Sequence, residues 1–409
     1  MATLPLMKRG LAAVVCLPLI ALSFLVKKND SIWVFGAWNG RQYSDNPRYL
    51  YEAVGATDSS ITPVWISKSP EIVTALKAQG CQAHHWLSPL GIYYSLRAGV
   101  AVVSHSADDI NPFASYRSKL FKITHGTPMK RMGRDNLSVH PERRSRRIYE
   151  RVRAFTPQRK APIAAFVSSE VSKARFESAY RGSDIAVVNS GYPRWKGITD
   201  NSGVLWRIVE NELKSAPVGA YEKIILYAPT RRADSTFRLS IDEDFVAFVR
   251  YANADKYVVV LRPHPSLSLA MNEDVSRQLS ELGFLEVDCQ RLNDINSALQ
   301  DVDVLVTDYS SVIYDYCILA RPAFLYAPDL DDYITSDTGL YEAYGESEPA
   351  LKVECLQEVL DPALQQEALS RTLAFKEMHC GGDAMAACAA IVRTIRGRTR
   401  RSVGIEEVA

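Results

Sequence analysis

The 409-residue sequence lacks a cysteine pattern that could support a disulfide framework or a zinc site. Its seven cysteines, at 16, 81, 289, 317, 355, 380 and 388, are odd in number and scattered, with no C-x-x-C pair. They read as reduced core thiols of a cytosolic compartment. The chain also lacks charge bias: 48 basic and 47 acidic residues leave a net charge of +1. The molecule as a whole therefore shows no bias toward nucleic acid, and any polyanion site must be local. Short-period repeats, low-complexity tracts and acidic clusters with metal-ligand spacing are missing as well. A hydrophobic run of full membrane-spanning length is not present either. Residues 11–26 give 16 mostly apolar positions interrupted by Pro18, roughly 24 Å of helix against a hydrocarbon core of about 30 Å. Lysine and arginine flank the run on both sides, and no A-x-A cleavage pattern follows it. It reads as a membrane-surface or short spanning anchor, with a buried first helix and a signal peptide as alternatives.

What is present is a long chain, 47% hydrophobic and 23% charged, enough for two domains with separate cores. Short β-rich runs alternate with amphipathic stretches: SIWVFGAW (31–38), TPVWIS (62–67), GVAVVSH (99–105), FKITHG (121–126), AAFVSS (164–169) and IAVVNSG (185–191). A second series follows: KIILYAPT (223–230), KYVVVLRPHP (256–265), FLEVD (284–288), VDVLVTDYSS (302–311) and RPAFLYAP (321–328). This alternation predicts βαβ units around two parallel sheets. The expected division is an apolar anchor over 1–28, a Rossmann-like domain over 29–200, a second over 201–395, and a charged tail over 396–409. The join falls in the Gly- and Pro-containing stretch 191–203.

Several chemistry-bearing residues fall where strands end, the place where open α/β sheets bind ligands. In 304–322 a buried strand runs into Asp308, Tyr309, Ser310 and Ser311 and then a helix. Hydroxyls and free amides there suit an anion, and an ordinary N-cap is the alternative. Arg262 and His264 sit between prolines after another strand. The arginine offers paired donors to phosphate, and the histidine can bind a pyrophosphate or protonate a leaving group. Thr230 and Arg232 follow the strand at 223–228. In FKITHGTP a strand delivers His125 to a turn at Gly126 and Thr127, where an imidazole of near-neutral pKa can take a proton from a hydroxyl. From Lys130 to Lys160 eleven basic side chains face three acidic ones. Among the cations are Lys130, Arg131, Arg143, Arg144, Arg146 and Arg147. With few aromatics interleaved, this stretch fits an anionic lipid or phosphate-rich acceptor better than a nucleic acid.

In order along the chain, HGTPMKRMG, GYPR, LYAPTRR, RPHP, VTDYSSVIYDYCILARPAFLYAPDLDDY, GLYEAYGE and HCGGDA resemble the motifs of the CDP-glycerol glycerophosphotransferases, the primases and polymerases of teichoic-acid-like polymers. The resemblance covers roughly residues 31–395. It implies a GT-B architecture, two facing Rossmann-like domains with the donor held mostly by the second. It implies transfer of glycerol phosphate, or another alditol phosphate, from CDP-glycerol to a lipid-linked, polyprenyl-diphosphate saccharide or to the growing polymer, with release of CMP. By the same match His125 looks like the base for the acceptor hydroxyl, and His264 joins it in catalysis. Gly126, Thr127, Thr230, Arg232, Arg262, Asp308, Ser310 and Ser311 look like donor-site residues, with fixed donors meeting the developing charge and no cofactor or metal required. The setting implied is the cytoplasmic face of the cell membrane, in teichoic acid or capsule synthesis. The competing readings are a GT-B glycosyltransferase or epimerase using a nucleotide sugar, and a non-catalytic polymer-binding protein.

Overall fold

The computed structural model describes residues 18–136, 160–200, 203–213, 220–230, 238–263, 268–270, 272–288, 291–336, 339–380 and 383–401. Seven strands build the first half: β1 Asn29–Gly36, β2 Thr62–Ser67, β3 Ala83–His85, β4 Ala98–Val103, β5 Lys119–Ile123, β6 Ala164–Val167 and β7 Ala186–Asn189. They lie in the order β3-β2-β1-β4-β5-β6-β7, every pair parallel. The second half contributes β8 Lys223–Ala228, β9 Arg238–Ser240, β10 Tyr257–Leu261, β11 Ser268–Ala270, β12 Leu285–Glu286, β13 Val304–Thr307, β14 Ala323–Tyr326 and β15 Leu351–Val353. Six of these form a parallel sheet ordered β12-β10-β8-β13-β14-β15, and β9 pairs with β11 apart from it.

The local sequence accounts for this architecture. Helices cover both faces of a doubly wound sheet, so its strands read as continuous apolar runs. Accordingly β4 (AGVAVV) and β10 (YVVVL) are buried at every position. The intervening helices open on polar caps. Ser69 and Ser88 accept hydrogen bonds from the amides of Ile72 and Gly91, with Pro70 and Pro89 in the first turn. Asp242 does the same for the helix Glu243–Ala254 through the Phe245 amide. Each run expected as a strand contains one, whereas β3, β9, β11 and β15, three residues each, gave no comparable pattern.

The strand orders position the site. Each half winds outward from a central first strand, and the winding reverses between β1 and β4 in one sheet and between β8 and β13 in the other. A crevice opens beyond the carboxyl ends of the strands at such a reversal.

One buried apolar cluster is shared between the halves, running from Trp33 and Phe121 through Tyr192 and Trp195 to Ile313 and Tyr316. At its centre the buried Arg194 guanidinium pairs with Asp45, on the first half, at 2.8 Å, and with Asp315, on the second. The Trp195 indole also donates to Asp315, at 3.2 Å. A second seam joins 129–131 to 339–341: the Arg131 amide donates to the Gly339 carbonyl and the Tyr341 amide to that of Met129. The last helix, Ala384–Arg401, crosses back to the first half, where the Arg396 guanidinium donates to Asp58.

The expected anchor is not found as a spanning helix. Among the described residues no helix is long and apolar enough to cross a membrane, and residues 11–17 of the apolar run lie outside them. The described remainder, 18–25, is helical. Cys81, Cys317, Cys355, Cys380 and Cys388 are free thiols.

The Arg194 bridge carries a stability prediction. Arg194→Met leaves two buried carboxylates without their counter-charge, and the expected loss is about 3–5 kcal/mol. Denaturant unfolding measures it; a loss below about 1 kcal/mol, the level of an exposed ion pair, would contradict a central role for the bridge.

Candidate active site

Beyond β5 the chain enters Thr124, His125 and Gly126. Thr124 is locked from three sides. Its hydroxyl shares a hydrogen bond with Tyr192, its amide donates to the Phe166 carbonyl, and its own carbonyl accepts from Asn46 at 2.9 Å. Gly126 follows with φ +143°, a conformation that favours glycine. A side chain there would also collide with the second half, since an added Cβ would lie 2.6 Å from the Ser311 hydroxyl. His125 is thereby held beside the turn that leads from β13 into the helix Val312–Tyr316. The two motifs, far apart in sequence, meet across the crevice.

Three aromatic rings from three strand ends surround this point. The His125 ring stacks on His105 at 4.1 Å between centroids with 10° between planes. Trp38, past the end of β1, lies 4.6 Å from His105 and 6.3 Å from His125. Trp38 and Asn39 both hold left-handed φ, 49° and 56°. Asp109 stabilises that backbone by accepting from the Asn39 amide at 2.7 Å.

Burial, the adjacent His105 ring and the cations Lys122 and Arg194 hold the His125 imidazole well below the usual histidine range, with a hydrogen bond to the Ser104 backbone opposing them. His125 is therefore neutral at pH 7. Its Nδ1 is buried without a hydrogen-bond partner. His105 is lowered by burial as well, while Asp109 and Asp45 counteract it.

At the reversal point of the second sheet, the buried Asp308 carboxylate accepts from the Thr230 amide at 3.0 Å and from its hydroxyl at 2.7 Å. It also accepts from the Tyr309 amide at 2.6 Å. Asp308 thus fixes the loop after β8 against the loop after β13. Ser310 accepts from the Val312 amide at 3.3 Å, while Ser311, at the N-cap of the helix, makes no side-chain capping bond. Arg262 donates to the Asp288 carbonyl at 2.9 Å. Thr127, fully inside, shares a hydrogen bond with Ser168 at 3.1 Å.

Lys130 and Arg131 lie on the seam between halves. The Lys130 ammonium sits 4.8 Å from the Tyr333 ring, itself stacked on Tyr309, and Arg131 Nε donates to the Leu340 carbonyl at 2.8 Å. His264, Arg232, Arg143, Arg144, Arg146 and Arg147 lie outside the described residues. Among the described residues no group of three or more His, Cys, Asp or Glu could hold a metal ion.

Sequence reasoning missed Trp38, His105, Asp109, Asp45, Arg194 and Asp315. His105 was within reach, because it follows β4 as His125 follows β5. The Arg194 bridge was not, since its carboxylates lie 149 and 121 residues away.

Comparison with known proteins identifies relatives of this arrangement. The teichoic acid glycerol-phosphate transferase of Staphylococcus aureus (strain NCTC 8325 / PS 47) is 29% identical over 353 residues, covering 83% of this chain and 84% of that protein. The teichoic acid poly(glycerol phosphate) polymerases of Staphylococcus epidermidis and Bacillus subtilis are 28% and 27% identical, over 80% and 81% of this chain. The chain spans less than half the length of these two polymerases, 44% and 43%. Among solved structures, the wall teichoic acid polymerase TagF is similar with a TM-score of 0.69 at 24% identity, over 97% of each chain. That likeness shows the fold. Residues 19–396 match the family model described as CDP-glycerol:poly(glycerophosphate) glycerophosphotransferase, and the chain belongs to that family.

Proposed function

We propose that this chain transfers glycerol phosphate, or a related alditol phosphate, from a CDP-alditol to a hydroxyl of a polyol-phosphate or lipid-linked saccharide acceptor. The observation that carries the reading is His125, a neutral imidazole with an unpartnered Nδ1, followed by Gly126, whose backbone packs against Ser311 across the crevice. His125 takes the acceptor proton as the acceptor oxygen attacks the β-phosphorus of the donor. The bond from that phosphorus to the bridging oxygen breaks, CMP leaves, and a phosphodiester remains. Ser310 and Ser311 supply donors for the phosphates, while Asp308, which takes the amide and hydroxyl protons of Thr230, holds that loop in position. Arg262, His264 and Arg232 complete the donor set in this reading.

Glycerol and ribitol donors both remain in view. Teichoic acid ribitol-phosphate polymerases TarK and TarL of Staphylococcus aureus are 30% and 31% identical over about half of this chain, 53% and 50%. We place the reaction at an anionic membrane. Supporting this, Phe24 and Leu25 are 58% and 83% exposed beside cations. Arg117 lies 5.4 Å from the Phe24 ring, and Arg97 donates to the Lys27 carbonyl. An apolar tip rimmed by lysine and arginine suits a lipid headgroup boundary.

Nucleotide release from CDP-glycerol, CDP-ribitol and UDP-sugars, with a polyprenyl-diphosphate disaccharide acceptor, tests the reaction class. CMP from one CDP-alditol is the expected product; release of UDP alone would transfer the weight to a nucleotide-sugar enzyme. His125→Ala should lower the rate by about a hundredfold or more. The acid limb of the kcat profile should fall below about 6.5, the ordinary histidine value, because the groups around His125 disfavour its protonation. A limb above that value would contradict His125 as the base. Gly126→Ala should lower kcat and the thermal midpoint together, because a Cβ at φ +143° is strained and would lie 2.6 Å from the Ser311 hydroxyl. Equal kcat in Gly126→Ala and wild type would remove the steric argument.

A further inference from the structure

Beside the base lies a second imidazole whose surroundings differ from those of the first, and the hydrogen bonds determine its tautomer. Asp109 Oδ2 accepts from the amides of Ser104 and His105 at 2.9 and 2.8 Å and from the Ser104 hydroxyl at 3.1 Å. A carboxylate only accepts, so the Ser104 hydroxyl must spend its one proton on Asp109. The Ser104 oxygen is then an acceptor toward His105 Nδ1, 2.7 Å away, and toward the Trp38 amide at 3.4 Å. His105 therefore carries its proton on Nδ1, and Nε2 is the nitrogen left to titrate.

The charges around the two rings are unequal. His105 has Asp109 on its own loop, Asp45 from the helix Asp45–Thr57, and the Trp38 ring at 4.6 Å, all of which favour a cation. Lys122 from β5 and Arg194 from the loop after β7 oppose it. His125 faces Lys122, Arg194 and His105, all cationic or able to become so. Two rings stacked at 4.1 Å cannot both hold a positive charge without strong repulsion.

We propose that His105 is a positioning residue for His125: the Asp109–Ser104–His105 chain makes His105 the seat of the one proton the stacked pair accepts, which keeps His125 a free base. This rests on the reading of His125 as the acceptor's base, but the charge distribution within the pair can be tested without any substrate.

The test is histidine NMR of the full chain from pH 4 to 9, with the His125 signal assigned from its loss in His125→Gln. In wild type, one ring titrates first and it is His105, while His125 titrates at markedly lower pH. In His105→Phe the stack remains but the charge is gone, and the His125 midpoint should rise by about one to two units. Asp109→Asn, a second variant should His105→Phe fail to fold, should lower the His105 midpoint. An unmoved or lowered His125 midpoint in His105→Phe, or first protonation on His125 in wild type, would overturn the proposal. In turnover assays the acid limb should move upward with the His125 midpoint, whereas a merely structural loss would lower kcat at all pH values without moving the limb. If no CDP-alditol is turned over, the NMR result still decides the proposal, so failure of the catalytic reading is seen separately.

Discussion

A buried guanidinium between two carboxylates from different halves is the interaction on which the rest depends. A cation taken out of water is tolerated only where counter-charges and hydrogen bonds replace the solvent. Arg194 finds them in Asp45 and Asp315, and its amide is held by Asn46 at 3.0 Å. The same Asn46 donates to the Thr124 carbonyl, immediately before His125. One network therefore joins the halves and sets the backbone that presents His125. The placement of Gly126, the residue after His125, against Ser311 is a consequence of how the two sheets are docked.

The docking has this effect because each sheet reverses its winding at a point that faces the crevice. In the first sheet the strand ends deliver Trp38 and His105, with His125 from the neighbouring strand. In the second they deliver Thr230 and Asp308. Parallel sheets supply these ends without further design, since their strands all point one way. What the sequence adds is local: left-handed backbone at Trp38 and Asn39 tied down by Asp109, and a glycine at 126 where no Cβ fits.

Much of this was legible in the sequence, and the boundary follows physical range. Continuous apolar runs such as AGVAVV and YVVVL announce buried parallel strands because periodicity is a local signal. His125, Ser310 and Ser311 could be singled out because each sits at a strand end. The bond between Asp308 and Thr230 could not, since the two are 78 residues apart. Lys130 and Arg131 read as part of a basic face, and the structure sets them on the seam, with Tyr333 and Leu340 among their partners across it. Short strands such as β3 and β15 escaped notice because three residues carry too little pattern to stand out from a loop.

Phosphorus NMR of a reaction run with CDP-glycerol and a polyol-phosphate acceptor tests the central claim most directly, because it reads the bond that is made as well as the nucleotide that leaves. The account predicts a new phosphodiester signal growing in step with CMP, one for one. Free glycerol phosphate in place of the diester, or cytidine diphosphate as the leaving group, would contradict it.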